Sequence, residues 1–312
     1  MRRIPQYLSL GALAALVGCA NNVAGTPTQS GLTPASSAVS AKSSAFRTEL
    51  TKPPKGSGFT TKYVQLVIFE NTAYDEIIGN SNAPYINSLA NDWALMTQSY
   101  AITHPSEPNY LALFSGSTQG VSSDACPVSF KVKNLGSELI AKKGLSFTGY
   151  AESMPSNGYT GCQAVPDQYA SGYLYMRKHV PWPDFTDIPA ANSIVYPGPL
   201  SSPPSSFTWI TPNMCDDMHD CSISTGDTWA SNNLPNLISW DAANNGVLIL
   251  TFDEDDGSSG NHIVTILAGN VNPGSYSQKI NHYSVLRTIE DIFKLKPLAN
   301  AASASPIAGV VK

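Results

Sequence analysis

Charge is scarce in this chain of 312 residues, where Asp, Glu, Lys and Arg together make up 13%. What there is runs negative, 18 basic against 23 acidic residues. A basic footprint for nucleic acid or anionic lipid is thereby excluded, and no nucleic-acid partner is expected. The N-terminal apolar run, Leu8 to Val17, is too short for a permanent membrane span. No internal repeat is present, which argues against solenoids and propellers. Ser106 lies in "THPSEPNY" without a Gly-x-Ser-x-Gly elbow, so the acyl-hydrolase signature is missing. The acidic run "DEDDG" is not an EF-hand loop: with Gly257 as the sixth position, the twelfth is Ile263 rather than Glu.

What is present begins with "MRRIPQYLSLGALAALVGCA", two arginines, an apolar stretch and Leu-Val-Gly-Cys. It reads as an export signal over residues 1–18 and resembles a bacterial lipobox, with Cys19 lipidated and anchoring the chain to a membrane. A plain secreted form is the alternative. Losing Arg2 and Arg3 leaves 16 basic residues against 23, a net charge of −7. Residues 19–60, rich in Ser, Thr, Ala, Pro and Gly, read as the lipidated Cys and a flexible tether. Residues 61–312 form the folded domain, which is expected to be a monomer. Four further cysteines suit disulfides in an exported chain and allow three connectivities. Cys215–Cys221, closing a short loop, with Cys126–Cys162 is the favoured arrangement. Their spacing does not match a structural zinc site.

Apolar runs typical of strands recur as "KYVQLVIFEN", "LSFTGYAES", "SFTWITPN", "GVLILTFDED" and "HIVTILAG". Helix-like stretches, "APYINSLANDWALM", "LGSELIAKKG" and "TWASNNLPNLISW", lie between several of them. This alternation predicts an α/β fold, a single domain whose largely parallel central sheet is flanked by helices. Proline-rich 181–206 is expected to be a long surface excursion.

Three of the strand runs end in polar clusters: Glu70-Asn71, the Asp216-Asp217-Met218-His219-Asp220 loop, and Asp253-Glu254-Asp255-Asp256. Ligands of open parallel sheets bind beyond the carboxyl ends of strands, so the three clusters should converge. Carboxylates gathered there repel one another unless a cation lies among them. Oxygen donors with an amide suit a hard divalent ion, Mg²⁺, Ca²⁺ or Mn²⁺. Ser106, at the start of the apolar helix "YLALFSGST", is either a helix N-cap or a nucleophile at the positive helix end. His179, His219 and His282 are the histidine candidates, with helix capping or packing as the competing role for His282; His104 and His262 carry less of the pattern. A hydroxyl, a divalent ion and histidines together suit metal-assisted phosphoryl transfer, with a histidine able to protonate the leaving alkoxide.

"FENTAYDEIIG", "THPSEPNYLALFSG", "RKHVPW", "NMCDDMHD", "FDEDDG" and "HYSVLRTIEDIF" occur in an order that resembles the bacterial phospholipase C–acid phosphatase family of the alkaline phosphatase superfamily. The likeness runs from about residue 63 to 296 and leans to the secreted acid phosphatase branch, some of whose members act on phosphoinositides. It implies an alkaline-phosphatase-like fold with Glu70, Asn71, Ser106, Asp253 and Glu254 as metal ligands and Ser106 also as nucleophile. It further implies that His179, His219 and His282 line a phosphate pocket, with Asp217 orienting or assisting. The expected activity is an exported, metal-dependent phosphomonoesterase acting through a phosphoseryl intermediate on a phosphate-ester substrate. A phospholipase C-type phosphodiesterase is the first alternative, and a cation-stabilised surface binding module the second. The Cys215–Cys221 pair around the Asp-His loop is a departure from the family pattern.

Overall fold

Two apolar runs, buried throughout but for the first residue of one, set the middle of the molecule. The structure, a computed structural model, describes residues 58–168 and 172–312. The expected signal segment, Cys19 and the tether as far as residue 57 lie outside them. In chain order the strands are β1 (Tyr63–Phe69), β2 (Ala94–Tyr100), β3 (Phe147–Ala151), β4 (Gln163–Pro166), β5 (Tyr173–Met176), β6 (Ser193–Val195), β7 (Phe207–Thr211), β8 (Gly246–Phe252), β9 (His262–Gly269), β10 (Gly274–Tyr276) and β11 (Ile280–Asn281). The helices are α1 (Tyr74–Ile77), α2 (Pro84–Asp92), α3 (Ser106–Ser115), α4 (Leu135–Ala141), α5 (Ile223–Asn233), α6 (Pro235–Asn244) and α7 (His282–Ile292).

The main sheet runs β10-β2-β9-β8-β1-β7-β3-β6, with β11 also on β2. β1 pairs in parallel with β7 and β8, and β3 in parallel with β6 and β7. The expected largely parallel sheet is therefore present, with one qualification. β9 runs antiparallel to both β8 and β2, because the loop over residues 253–261 returns the chain directly beside β8. Strands buried on both faces need apolar residues at every position rather than alternate ones. β1 meets this: Val64, Leu66 and Ile68 enter the core shared with α3, α4 and α7, while Val67 and Phe69 enter the core shared with α2, α5 and α6. The polar exception, Gln65, is fully buried, and its amide is oriented to donate to the Asp241 carboxyl of α6 and to the Val247 carbonyl at 3.1 Å.

Three local expectations are corrected. "APYINSLANDWALM" is helical only as α2; from Ala94 the chain is strand β2, whose residues pair with β9. "TWASNNLPNLISW" is two helices, since Pro235 offers no N–H to continue α5 and instead starts α6. Residues 181–206 are not all surface. Trp182 and Phe185 are buried, Trp182 packing over Gly149 of β3, where a Cβ would collide with the indole. Both favoured disulfides are formed, Cys126–Cys162 and Cys215–Cys221. Among the described residues, no helix is long and apolar enough to cross a membrane.

Candidate active site

β1, β7 and β8 lie side by side and point the same way, so the residues that follow them meet at one end of the sheet. Asn71, just past β1, has a positive φ of 42°, a conformation asparagine tolerates better than most residues. This bend lets its backbone N–H donate to Asp253 Oδ1 at 3.1 Å. Past β7, the Glu70 N–H donates to the Asp217 carbonyl at 2.8 Å, locking the β1 end to the Asp-His loop. That loop turns through Met218 at φ 81° and is closed by Cys215–Cys221. The convergence expected from the sheet is present.

Ser106 is the first residue of α3, and its hydroxyl makes no capping bond. It faces the site instead, with Glu70 Oε2 at 3.0 Å, Glu254 Oε1 at 3.3 Å and Asn71 Oδ1 at 3.5 Å. A single hydroxyl proton can serve one of these acceptors at a time. Ser106, Glu70, Asp217, Asp253 and Glu254 are all buried.

The three histidines take different places. His179 is buried, with Nδ1 3.2 Å from Asp217 Oδ2 and Nε2 3.3 Å from Glu70 Oε2. Asp217 Oδ2 faces His179 at that distance without a hydrogen bond, and its other oxygen accepts from the backbone N–H of His219 at 2.8 Å. His219 is more open: its Nδ1 lies 2.7 Å from Asp220 Oδ1 and its Nε2 3.2 Å from Lys178 Nζ. His282 does not cap its helix, because Asn281 accepts from the N–H groups of Tyr283 and Ser284. His282 is buried against the Asp253 carbonyl, Nε2 to oxygen 2.6 Å, and so buttresses the backbone of a site residue. Burial holds all three imidazoles below their usual pKa; for His179 and His219 the Lys178 ammonium adds to it, and His282 comes down to about 4.

The carboxyls move the other way. Burial, then the charges of Asp253 and Asp217, pushes Glu70 well up. Burial and Glu254 raise Asp253 to about 8, and burial raises Glu254 to about 7. Asp217 is pushed well up by burial. Buried carboxylates in such proximity are favourable only when an opposite charge offsets them. Asp253 Oδ2 is buried without a hydrogen-bond donor among the described residues. An oxygen set of Glu70, Asn71, Ser106, Asp253 and Glu254 fits a hard divalent cation by its donor chemistry. Glu70, His179 and His219 also present ligand atoms all within 4.8 Å of one another, a second donor group sharing Glu70.

Tyr110, Asn109 and Lys178 reach the site without having been singled out from sequence, and His104, which carried less of the pattern than the other histidines, reaches it as well. Tyr110, from the first turns of α3, donates its hydroxyl to Glu70 Oε1 and stacks on His179 with ring centres 5.3 Å apart. His104 bridges Glu254 Oε2 at 2.9 Å and Asp255 Oδ1 at 3.0 Å. Asn109 donates to Glu254 Oε2 at 3.2 Å. Lys178 joins His219 to Asp124. The signals were adjacency to His179 for Lys178 and to Ser106 for His104. Asp216 and Asp256, by contrast, stay out: Asp216 bonds Asn213, and Asp256 is exposed and bonds Ser258.

The sequence profile described as the Phosphoesterase family matches residues 79–296. The chain is 44% identical over 257 residues to a phosphatidylinositol-3-phosphatase of Mycobacterium tuberculosis, covering 80% of this chain and 83% of that protein. It is 31% identical over 306 residues to a Kluyveromyces lactis protein named "Probable acid phosphatase", covering 91% of this chain and 71% of that one. Among solved structures, a Vibrio parahaemolyticus protein of the alkaline phosphatase superfamily superposes with a TM-score of 0.51 at 13% identity, over 82% of this chain and 72% of that one. At that identity the likeness concerns the fold alone, and it is the alkaline-phosphatase-like fold expected from sequence.

Proposed function

The chain belongs to the Phosphoesterase family and is a hydrolase of phosphate esters, and from that premise we propose that it is an exported, metal-dependent phosphomonoesterase using Ser106 as nucleophile. The observation that carries the reading is the orientation of the Ser106 hydroxyl. It leaves the helix uncapped and meets Glu70, Asn71 and Glu254 in a buried acidic recess. A binding module with a structural cation would use that hydroxyl as a ligand alone and would show no turnover to lose in Ser106→Ala.

In this reading Glu70, Asn71, Ser106, Asp253 and Glu254 hold a divalent cation. Bound there, the cation supplies a lowered pKa for the serine hydroxyl and charge to offset the phosphoryl oxygens. The remaining steps belong to the protein. Glu70 Oε2, 3.0 Å from Ser106 Oγ, accepts the hydroxyl proton as the oxygen attacks phosphorus. His179 Nε2 lies 3.3 Å beyond Glu70 Oε2 without a hydrogen bond and walls that side of the pocket. The ester oxygen departs as the alcohol on taking the proton back, leaving phosphoserine. Water then attacks phosphorus, gives one proton to Glu70, and releases phosphate as the serine oxygen takes a proton back. His219 lines the pocket edge, and His282 keeps Asp253 in place.

The named relatives support a phosphoinositide or another phosphomonoester as substrate. The Leu-Val-Gly-Cys run supports residues 1–18 as an export signal and a lipid on Cys19, tethering the domain 61–312 to a membrane.

Phosphate release from an aryl monoester tests the reading, comparing wild type, Ser106→Ala and chelator-treated enzyme. Turnover should vanish in the last two. Ser106→Ala should keep or slightly raise the melting temperature, since no cap is lost. Activity retained by the variant would remove Ser106 as nucleophile, and activity retained under chelation would remove the metal.

A further inference from the structure

Lys178 stands apart from the basic residues around it. Its neighbour Arg177 is fully engaged: its guanidinium bonds Asp184 and the carbonyls of Thr160, Val128 and Pro183. His179, the next residue, is buried between Glu70 and Asp217. Lys178, in the same short turn, reaches the pocket side. Its ammonium lies 3.1 Å from Asp124 Oδ2 and 3.2 Å from His219 Nε2, and its side chain is 11% exposed. An ammonium carries three donors, and these two partners take two of them. Among the described residues, it is the lysine or arginine with a hydrogen bond to a residue of the site.

Its anchors are themselves fixed. Asp124 precedes by two residues the bridge Cys126–Cys162, and it also accepts from the Glu107 N–H at 3.1 Å, at the start of α3 beside Ser106. His219 lies inside the Cys215–Cys221 loop. The Asp124 carboxylate, 3.1 Å away, pairs with the ammonium on the side away from His219. Two covalently pinned loops therefore hold one cation at the edge of a recess whose other charges are negative.

We propose that Lys178 is a phosphate-binding and specificity-determining residue, giving its third N–H to a non-bridging phosphoryl oxygen and favouring the dianionic monoester over the monoanionic diester. This role presupposes the phosphomonoesterase reading of the site. The anion must enter past carboxylates, and the attraction of a fixed ammonium grows with the charge of its partner. Two negative charges gain more from it than one. Asp124 and His219 set the position of the ammonium; Lys178 meets the substrate.

The test compares wild type with Lys178→Met, Lys178→Gln and Lys178→Arg on an aryl phosphate monoester, the corresponding bis-aryl diester, and inorganic phosphate as inhibitor. One charge-assisted hydrogen bond corresponds to about a 10- to 100-fold effect. Lys178→Met should lower kcat/KM on the monoester by about that factor more than on the diester, and weaken inhibition by phosphate by a similar factor. Lys178→Gln should do the same, which keeps the test open if the methionine variant does not fold. Lys178→Arg should recover most of the phosphate affinity. Equal losses on both esters with unchanged phosphate inhibition would overturn the assignment and leave the lysine as a prop for His219. Calorimetric binding of inorganic phosphate to the Ser106→Ala protein, with and without Lys178→Met, separates the two readings. If wild type turns over no monoester, the phosphomonoesterase reading fails, while a Lys178-dependent phosphate affinity would still support the lysine's role and its absence would overturn it.

Discussion

Asp241, packed against Gly246 at the start of β8 and so near the strand ends opposite the acidic recess, makes stability depend on pH in a direction opposite to that of most paired carboxylates. It is fully buried on α6, and its polar partner is the amide of Gln65 in the middle of β1. Burial raises its pKa from 3.8 to about 8, and the Gln65 contact opposes this only in part. The fold therefore holds a proton that the unfolded chain releases near pH 4. A carboxyl raised in the folded state adds stability below its unfolded pKa and loses it as pH climbs through the folded one. Between pH 5 and 7 the loss approaches about 1.4 kcal/mol per pH unit, or roughly 2.7 kcal/mol in all. For a domain of this size that is about 5–10 °C in melting temperature. Asp241→Asn keeps the shape and removes the titration. Melting curves of both proteins at pH 5, 6 and 7 should diverge, the wild type falling relative to the variant by this amount. Taking the difference cancels the other buried carboxyls and any effect at the active site, and turnover of the variant should match wild type at 25 °C. Parallel melting temperatures across the range would show that Asp241 is ionised in the fold and would refute the argument.

Two further outcomes follow from contacts already described. Tyr110→Phe removes the hydroxyl that Glu70 Oε1 accepts while preserving the stack on His179, and a hydrogen bond to a charged group is worth about 1.5–3 kcal/mol. Turnover should fall about tenfold or more with the melting temperature little changed, and an unaltered rate would show that Glu70 does not depend on this donor. Gly149→Ala places a methyl against the Trp182 indole and should cost about 1–3 kcal/mol. Chemical denaturation measures it; Trp182→Phe in the same protein should recover part of the loss, and additive losses would place the strain elsewhere.

The parts of this molecule that were legible in the sequence are those decided by local pattern. β1 and β8 read as buried strands because every position but Gln65 in β1 and Thr251 in β8 is apolar, as a strand covered on both faces requires. Period alone carries no direction, so the antiparallel course of β9 was invisible, and the apolar residues running from α2 into β2 hid the change from helix to strand. Trp182 was read as surface because its burial depends on Gly149, more than thirty residues earlier in the chain, lacking a side chain.

The site divides along the same line. Glu70, Asn71, Asp217, His219, Asp253 and Glu254 each follow a strand, and a parallel sheet brings such ends together whatever the loops do. Ser106 was ambiguous from sequence because a helix-start serine caps or does not cap according to its rotamer; the structure turns it toward Glu70. Tyr110 and Lys178 could not be weighed, and His104 ranked below the other histidines, since a tyrosine in an apolar helix or a lysine beside an arginine acquires meaning only from what lies opposite. The difference between Arg177 and Lys178 makes the point physically. Both are basic, adjacent and largely buried, yet one is saturated by Asp184 and three carbonyls, while the other has two partners and a donor to spare. A saturated cation stabilises the fold; an unsaturated one facing an anion pocket is available to a ligand, and that distinction rests on counting donors against acceptors in three dimensions.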